Sequence, residues 1–265
     1  MTITAIAIHG AAGRMGKRLV ALASTDSQLK VVAALEHEQH PDLGKDAGLA
    51  CGIMELHVPL AAHLNAKADS LIDFSIPEAA ERILGICVEH KTPLVMATTG
   101  LNERQKEQIS EASVHIPIVW SPSMSLTVNL AMKLVAMAGA ALKDAGGGVD
   151  VEIIERHHRM KEDSPSGTAL KFGEIISGVM GQTMHTHGRE GIVGKRPQHE
   201  IGYHAVRTGD NAGEHTIIFG LPGETLEVSV KASNRDCYAM GALAAAKFVA
   251  KQKPGLYNMY DVLGL

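Results

Sequence analysis

An apolar run at residues 3–8 passes without a linker into three glycines set three apart, Gly10, Gly13 and Gly16, and then into a helix-forming stretch over residues 14–23. A buried strand that turns this tightly into a helix needs residues without a Cβ, and the helix that follows presents unpaired N–H groups at its positive end. Gly10-Ala11-Ala12-Gly13-Arg14-Met15-Gly16 is therefore a variant of the glycine fingerprint on which a dinucleotide pyrophosphate rests. The spacing also suits a strand–helix turn with no ligand. What favours the nucleotide is Glu36, twenty positions after Gly16 at the close of the next apolar run, where a carboxylate can accept hydrogen bonds from a ribose. His37 follows it, and no Arg or Lys is adjacent to clamp a 2′-phosphate. NADH, or NADH and NADPH alike, is the expected cofactor.

Further strand-length apolar runs lie at 29–35, 70–74, 93–97 and 117–120, each separated from the next by a helical stretch. This alternation predicts a Rossmann-type, doubly wound parallel sheet of the α/β class. Ser75-Ile76-Pro77-Glu78 has the form of a capping box, and Asn102 is placed to cap a helix over 103–112. After Trp120 the texture changes. Residues 126–142 read as a long amphipathic helix, three glycines at 146–148 break it, and 149–155 has β-branched strand character. Ser164-Pro165 reads as an N-cap and first-turn proline opening a helix to about residue 179. Residues 199–206, 215–219 and 225–232 alternate as antiparallel strands would, with turn formers at Gly209-Asp210-Asn211 and Pro222-Gly223. The expected organisation is a dinucleotide-binding domain over 1–125 and an α+β domain with a mixed or antiparallel open sheet over 126–235. The small-residue-rich C-terminal segment, 236–265, is expected to pack back onto the first.

Composition removes other classes. The 25 basic and 29 acidic side chains leave a net charge of −4 with neutral histidines, which argues against a nucleic-acid partner. The longest apolar stretch, 126–142, is broken by Asn129 and Lys133, so no membrane span is expected, and Met1-Thr2-Ile3-Thr4 lacks the basic start of a signal peptide. A cytoplasmic location is the expectation. Three scattered cysteines, Cys51, Cys87 and Cys237, form no disulfide framework or thiolate zinc pattern. Nine aromatics leave little for base stacking, whereas 14 histidines raise the question of metal or acid/base chemistry. His185-x-His187 and the scattered His57, His63, His90 and His115 lack metal-ligand spacing and read as surface or packing residues, so no metal is expected.

Residues 155–169 carry the densest chemistry: His157 and His158, Arg156 and Arg159, and Lys161 precede Ser166-Gly167-Thr168 at a helix start. The N–H groups of Gly167 and Thr168 and the Thr168 hydroxyl can hold an anion at the positive helix end, and a histidine beside them can act as general acid at neutral pH. Taken alone the stretch also suits a solvated, charged loop.

Across essentially its whole length the chain resembles the 4-hydroxy-tetrahydrodipicolinate reductase (dihydrodipicolinate reductase) family. The resemblance rests on the glycine turn, Asp73-Phe74-Ser75 with Pro77-Glu78, Ala97-Thr98-Thr99-Gly100, Glu152 to Glu155 with His157-His158 and Lys161, Ser166 to Ala169, Gly188-Arg189-Glu190-Gly191, and Gly213-Glu214-His215-Thr216. It implies a cofactor site of Gly10, Ala11, Ala12, Gly13, Arg14, Met15, Glu36 and His37, completed by Ala97, Thr98, Thr99, Ser121, Pro122, Ser123 and Met124. It further implies His157 as acid/base residue, Lys161 as proton donor, and His158, Gly167 and Thr168 as contacts to a dicarboxylate substrate. The family is also a homotetramer built through its second domain. Two positions depart from the family pattern: Ser123 where Asn is usual, and His37 where many members carry Arg. The rivals are another amino-acid dehydrogenase, of the aspartate-semialdehyde or homoserine type, and a non-catalytic NADH sensor. The semialdehyde type needs a nucleophilic cysteine in a site motif, and a sensor needs an output surface; neither is legible.

Overall fold

The computed structural model describes residues 3–265, so the reading of the chain start as leaderless falls partly outside the described residues. The chain divides into two compact units, Met1–Leu126 with Asp236–Leu265, and Thr127–Arg235.

In the first unit, β1 (Thr4–His9), β2 (Leu29–Leu35), β3 (Leu60–Ala61), β4 (Ser70–Asp73), β5 (Leu94–Met96) and β6 (Pro117–Trp120) form a parallel sheet in the order β3-β2-β1-β4-β5-β6. Gly255–Tyr257 extends it beyond β6, also in parallel. Strands buried on both faces read as continuous apolar runs, and their alternate residues feed two cores. Ile6 and Ile8 join Leu19 and Val20 of α1 (Arg14–Thr25) and Ala242 and Ala246 of the C-terminal helix Asp236–Val249. Ala7 and Leu71 join residues of the opposite helices, which follow the short α2 (Ala47–Ala50): Ile83 of α3 (Ala80–His90) and Ile109 of α4 (Glu103–Ser113). Helices on both faces and a reversal of strand order between β1 and β4 make this the doubly wound architecture, with ligands expected outside the strand C-termini at the reversal. Asn102 closes the expected capping box with Gln105 at α4. Ser75 does not cap: its hydroxyl donates to Asp73 Oδ1 at 2.7 Å, and Pro77 takes the first position of a 3-10 turn, Pro77–Ala79, that leads into α3.

In the second unit, α5 (Leu126–Leu142) precedes β7 (Asp150–His157), α6 (Gly167–Met180), β8 (Met184–His187), β9 (Glu200–Arg207), β10 (Glu214–Leu221) and β11 (Glu224–Lys231). The sheet order is β11-β10-β7-β9-β8. Strands β10 and β11 form a hairpin closed by Pro222-Gly223, and β10 is antiparallel to β7. The sheet is mixed, as expected: β9, β10 and β11 alternate in direction, while β9 runs parallel to β7 and to β8. The parallel pairs come from the α6 crossover after β7 together with β8, whose Met-His-Thr-His sequence is mostly exposed and gives no apolar signal. Gly209-Asp210-Asn211 is accordingly no hairpin turn, since β7 lies between β9 and β10. Alternation along β7 sends Val151, Ile153, Glu155 and His157 inward and Asp150, Ile154 and Arg156 outward. The inward face meets Ile217 and Phe219 of β10, and Phe172 and Ile176 supply the buried stripe of α6.

Candidate active site

At the C-terminal ends of β1 and β2 the backbone folds into a turn that only glycine accommodates. Gly10 adopts φ +73°, and its N–H and that of Ala11 both donate to the Leu35 carbonyl, at 3.0 and 3.1 Å. Gly13 N–H closes the turn onto Gly10 O at 3.0 Å, and α1 starts at once with Gly13 as a cap that offers no side chain. A Cβ on Gly16 would stand 2.0 Å from Gly10 O. The first turn of α1 holds no acidic residue, so its N–H groups remain available to an anion. Glu36, nearly buried, accepts the Ala12 N–H at 2.7 Å, which fixes a carboxylate against the turn. Gly13, Arg14 and His37 are exposed. These residues fit a dinucleotide, with the pyrophosphate at the start of α1 and a ribose at Glu36.

A second network joins the neighbouring strand ends. Asp73, fully buried, accepts from His9 Nδ1 at 2.6 Å, from the Ser75 hydroxyl and from the Thr98 hydroxyl at 2.7 Å. Thr98 Oγ1 in turn accepts the Ser75 N–H, Ala97 N–H donates to the Asp73 carbonyl, and Arg82 reaches His9 Nε2 at 3.2 Å. Ala97 and Thr98 are thereby locked to β4 while Thr99 faces solvent. At the end of β6, Ser121 and Met124 are buried, Pro122 is exposed, and Ser123 Oγ accepts the Ser125 N–H at 3.3 Å.

In the second unit the structure gathers His157, Ser166 and the start of α6 around one carboxylate. His157 Nδ1 donates to Glu155 Oε2 at 2.6 Å, while Ser166 N–H reaches Glu155 Oε1 at 3.0 Å. Arg207 grips both oxygens, at 2.8 Å each. Ser166, not Ser164, is the cap of α6: its Oγ accepts the Ala169 N–H at 3.2 Å, and the Ser164–Pro165 peptide upstream is cis. Ser166 Oγ also pairs with His215 Nε2 at 2.9 Å, and the His215 ring packs edge-on against that of His157 with centroids 5.2 Å apart. His158 and Lys161 are half-buried in the loop between, Lys161 N–H donating to the His158 carbonyl and its ammonium to Asp163 at 2.7 Å. Gly167 is exposed and Thr168 half-buried.

Electrostatics separate these groups. Burial pulls the His157 pKa below the usual imidazole range, Lys161 and Arg207 add to that, and Glu155 works against it. Burial takes His215 down to about 4, so it is neutral at physiological pH. Burial opposes charge on Glu155 too, but hydrogen bonds from Arg207, His157 and Ser166 win and hold its carboxyl below the ordinary range.

Sequence pattern alone singles out neither Glu155, Arg207, Ser166 and His215 nor His9, Asp73 and Arg82 as functional side chains. For Glu155 a signal existed: period-two alternation from Val151 and Ile153 puts it on the inward face with His157, where a carboxylate must find donors. Arg207 and His215 had none, because strand pairing brings them in from 52 and 49 residues beyond Glu155 and Ser166. Among the described residues no three His, Cys, Asp or Glu side chains are grouped as metal ligands. His185 and His187 stack on Tyr203 instead.

Two family models match the chain almost end to end: Dihydrodipicolinate reductase, N-terminus, over residues 4–124, and Dihydrodipicolinate reductase, C-terminus, over residues 127–263. A 4-hydroxy-tetrahydrodipicolinate reductase from Rhodopirellula baltica is 54% identical over 268 residues, spanning 98% of this chain and 96% of that protein. One from Syntrophotalea carbinolica is 43% identical over 266 residues, spanning 98% of each. Among solved structures, a dipicolinate-bound dihydrodipicolinate reductase from Paenisporosarcina sp. TG-14 has a TM-score of 0.80 at 25% identity, covering 98% of this chain and 99% of that one. The fold, the motif order and these relatives agree: the chain belongs to the dihydrodipicolinate reductase family.

Proposed function

We propose that this chain reduces 4-hydroxy-tetrahydrodipicolinate, by way of dihydrodipicolinate, to tetrahydrodipicolinate in the diaminopimelate route to lysine, with NADH or NADPH as reductant. The observation that carries the reading is a buried His157, hydrogen-bonded to Glu155 and joined through it to the start of α6, in a chain of this family. The bound nicotinamide supplies a hydride to C4 of the unsaturated cyclic imine. The chain's own residues do the rest. The turn from Gly10 to Met15 binds the pyrophosphate, Glu36 with His37 a ribose, and Ala97 to Thr99 with Ser121 to Met124 the remainder of the cofactor.

His158 and the Gly167 and Thr168 N–H groups hold a substrate carboxylate. A Cβ at Gly167 would meet nothing within 4 Å, so packing does not demand glycine there, and its absence leaves the N–H open to a ligand. Hydride addition leaves an electron pair at C3, which takes a proton from His157 or Lys161. Burial favours neutral His157 before substrate arrives, and the negative charge of a bound dicarboxylate raises its proton affinity, so that the acid forms where it is used. The test is loss of nicotinamide absorbance with freshly generated substrate. His157→Ala is expected to bind NADH as before and to lose turnover; turnover at the wild-type rate overturns the assignment.

The carboxylate of Glu36 disfavours a 2′-phosphate and no Arg or Lys is adjacent to it in the sequence, so NADH is used at least as well as NADPH. A hundredfold preference for NADPH in kcat/KM, about 2.7 kcal/mol, refutes this. The active form is a cytoplasmic homotetramer assembled through the second unit; its mass in solution tests the stoichiometry. Among the described residues no helix is long and apolar enough to cross a membrane.

A further inference from the structure

We infer that Glu155, clamped by Arg207, is the positioning residue that orients the His157 ring and ties it to the first turn of α6, so that one buried carboxylate sets both the acid/base group and the anion-binding helix end. The inference rests on the assignment of His157 as the acid/base residue. Only 1% of the Glu155 side chain is exposed, yet it receives four donors: His157 Nδ1 and one Arg207 nitrogen on Oε2, Ser166 N–H and the other Arg207 nitrogen on Oε1. Four bonds use the accepting capacity of an ionised carboxylate, which has no proton to give. His157 must therefore carry its proton on Nδ1, and in the neutral ring Nε2 is the atom left to exchange a proton.

That atom faces Gly213. A Cβ built there would lie 2.9 Å from Nε2, and Gly213 sits at φ +141°, where side chains are rarely tolerated. The bare Cα keeps the reacting side of the ring clear. On the other oxygen, Ser166 is fixed through its N–H to Glu155 and through its hydroxyl to His215 and Ala169, and the next two residues are Gly167 and Thr168. A second Arg207 contact, to the Asp163 carbonyl at 2.7 Å, anchors the loop that carries Lys161. Rotation of Glu155 would thus disturb the ring and the helix start together. The charged and titratable groups around His157 are Glu155 on its own strand, Arg207 on β9, His215 on β10, and Lys161 and Asp163 in the intervening loop.

The test compares E155Q, H157Q and the double variant in the full-length protein, by steady-state kinetics, by pH–rate profile and by 15N NMR of the His157 ring. Glutamine keeps the shape but can present an amide to Nδ1, so the single tautomer gives way to a mixture. E155Q is expected to lose about 30- to 100-fold in kcat, with KM for NADH unchanged and the alkaline limb of the profile moved to lower pH. If the two residues act as a unit, the double variant is no slower than H157Q beyond about twofold. Wild-type kcat and tautomer in E155Q, or a double variant that loses the product of the two single effects, overturns the inference while leaving His157 as the acid/base residue. Wild-type kcat in H157Q removes that assignment and the inference with it. Should E155Q not fold, R207K is read in its place: it keeps the carboxylate but breaks the two-nitrogen grip, with an expected kcat loss of about tenfold. Wild-type kcat in R207K then overturns the inference.

Discussion

Replacing Gly16 by alanine tests whether the helix start is as close to the glycine turn as the site requires. The added Cβ would lie 2.0 Å from Gly10 O and 2.6 Å from Ala11 Cα, where ordinary contact begins at 3.4 Å. The shortfall of 1.4 Å is against backbone, in a turn already held by Gly10 and Ala11 to the Leu35 carbonyl, so no side chain can swing away. Overpacking of this kind costs about 3 kcal/mol, which in a unit of this size lowers Tm by about 6–12 °C. Because the displaced atoms are those to which the proposed function assigns the pyrophosphate, NADH affinity is expected to fall as well, by about tenfold or more. The same substitution at Gly85 is the control. That glycine lies exposed in the middle of α3, and its Cβ would meet nothing within 4 Å. Alanine there gains about 0.5–1 kcal/mol through helix propensity and leaves NADH binding alone. Differential scanning calorimetry with a fluorescence titration of NADH measures both. Equal melting temperatures and equal NADH affinities for G16A and the wild type would refute the close approach on which the nucleotide reading stands.

His215, lowered to about 4 by burial, binds fewer protons folded than unfolded between that value and the ordinary imidazole range. Its contribution is complete above pH ~6.5 and fades as pH falls, at about 1.4 kcal/mol per pH unit. H215Q should therefore shrink the stability difference between pH 7 and pH 5 by about 2 kcal/mol, measured by urea unfolding at each pH, and an unchanged difference rejects the burial argument. Asn102 caps α4 through the Gln105 N–H. N102A should cost about 1 kcal/mol with no change in kcat, and a loss of activity would mean that α4 is coupled to chemistry.

How much could be read in advance varied with the range of the interaction. Five strands of the first unit in their order, the glycine turn and the Asn102 cap are local signals that the structure repeats, whereas the two-residue β3, the short α2 and the added strand Gly255–Tyr257 carry too little pattern to be read. The failures are places where a distant element decides. Ser75 had the spacing of a cap, but Asp73 claims its hydroxyl. Ser164 preceded a proline as a cap does, but Ser166 is the residue whose N–H and hydroxyl find Glu155, His215 and Ala169. The parallel placement of β9 depends on β8, an edge strand too polar to announce itself. The loop from His157 to Thr168 was legible as a concentration of charge, whereas its organiser, Glu155, was hidden by a donor set assembled from β7, β9 and the start of α6.

The histidines show why position outweighs number. Two of the fourteen donate to a buried carboxylate at the same 2.6 Å, His9 to Asp73 and His157 to Glu155. Their second nitrogens separate them. Nε2 of His9 is met by the Arg82 guanidinium at 3.2 Å; a guanidinium only donates, so that nitrogen is held as an acceptor and both sides of the ring are occupied. His9 can brace the ends of β1, β4 and β5 but has no atom left to pass a proton to a ligand. In the second unit the guanidinium of Arg207 binds the carboxylate directly, which leaves Nε2 of His157 facing the bare Cα of Gly213. A histidine–carboxylate pair thus has both ring nitrogens occupied in the first unit, whereas in the second the arginine binds the carboxylate and leaves the histidine's Nε2 without a guanidinium, as the proposed acid/base role of His157 requires.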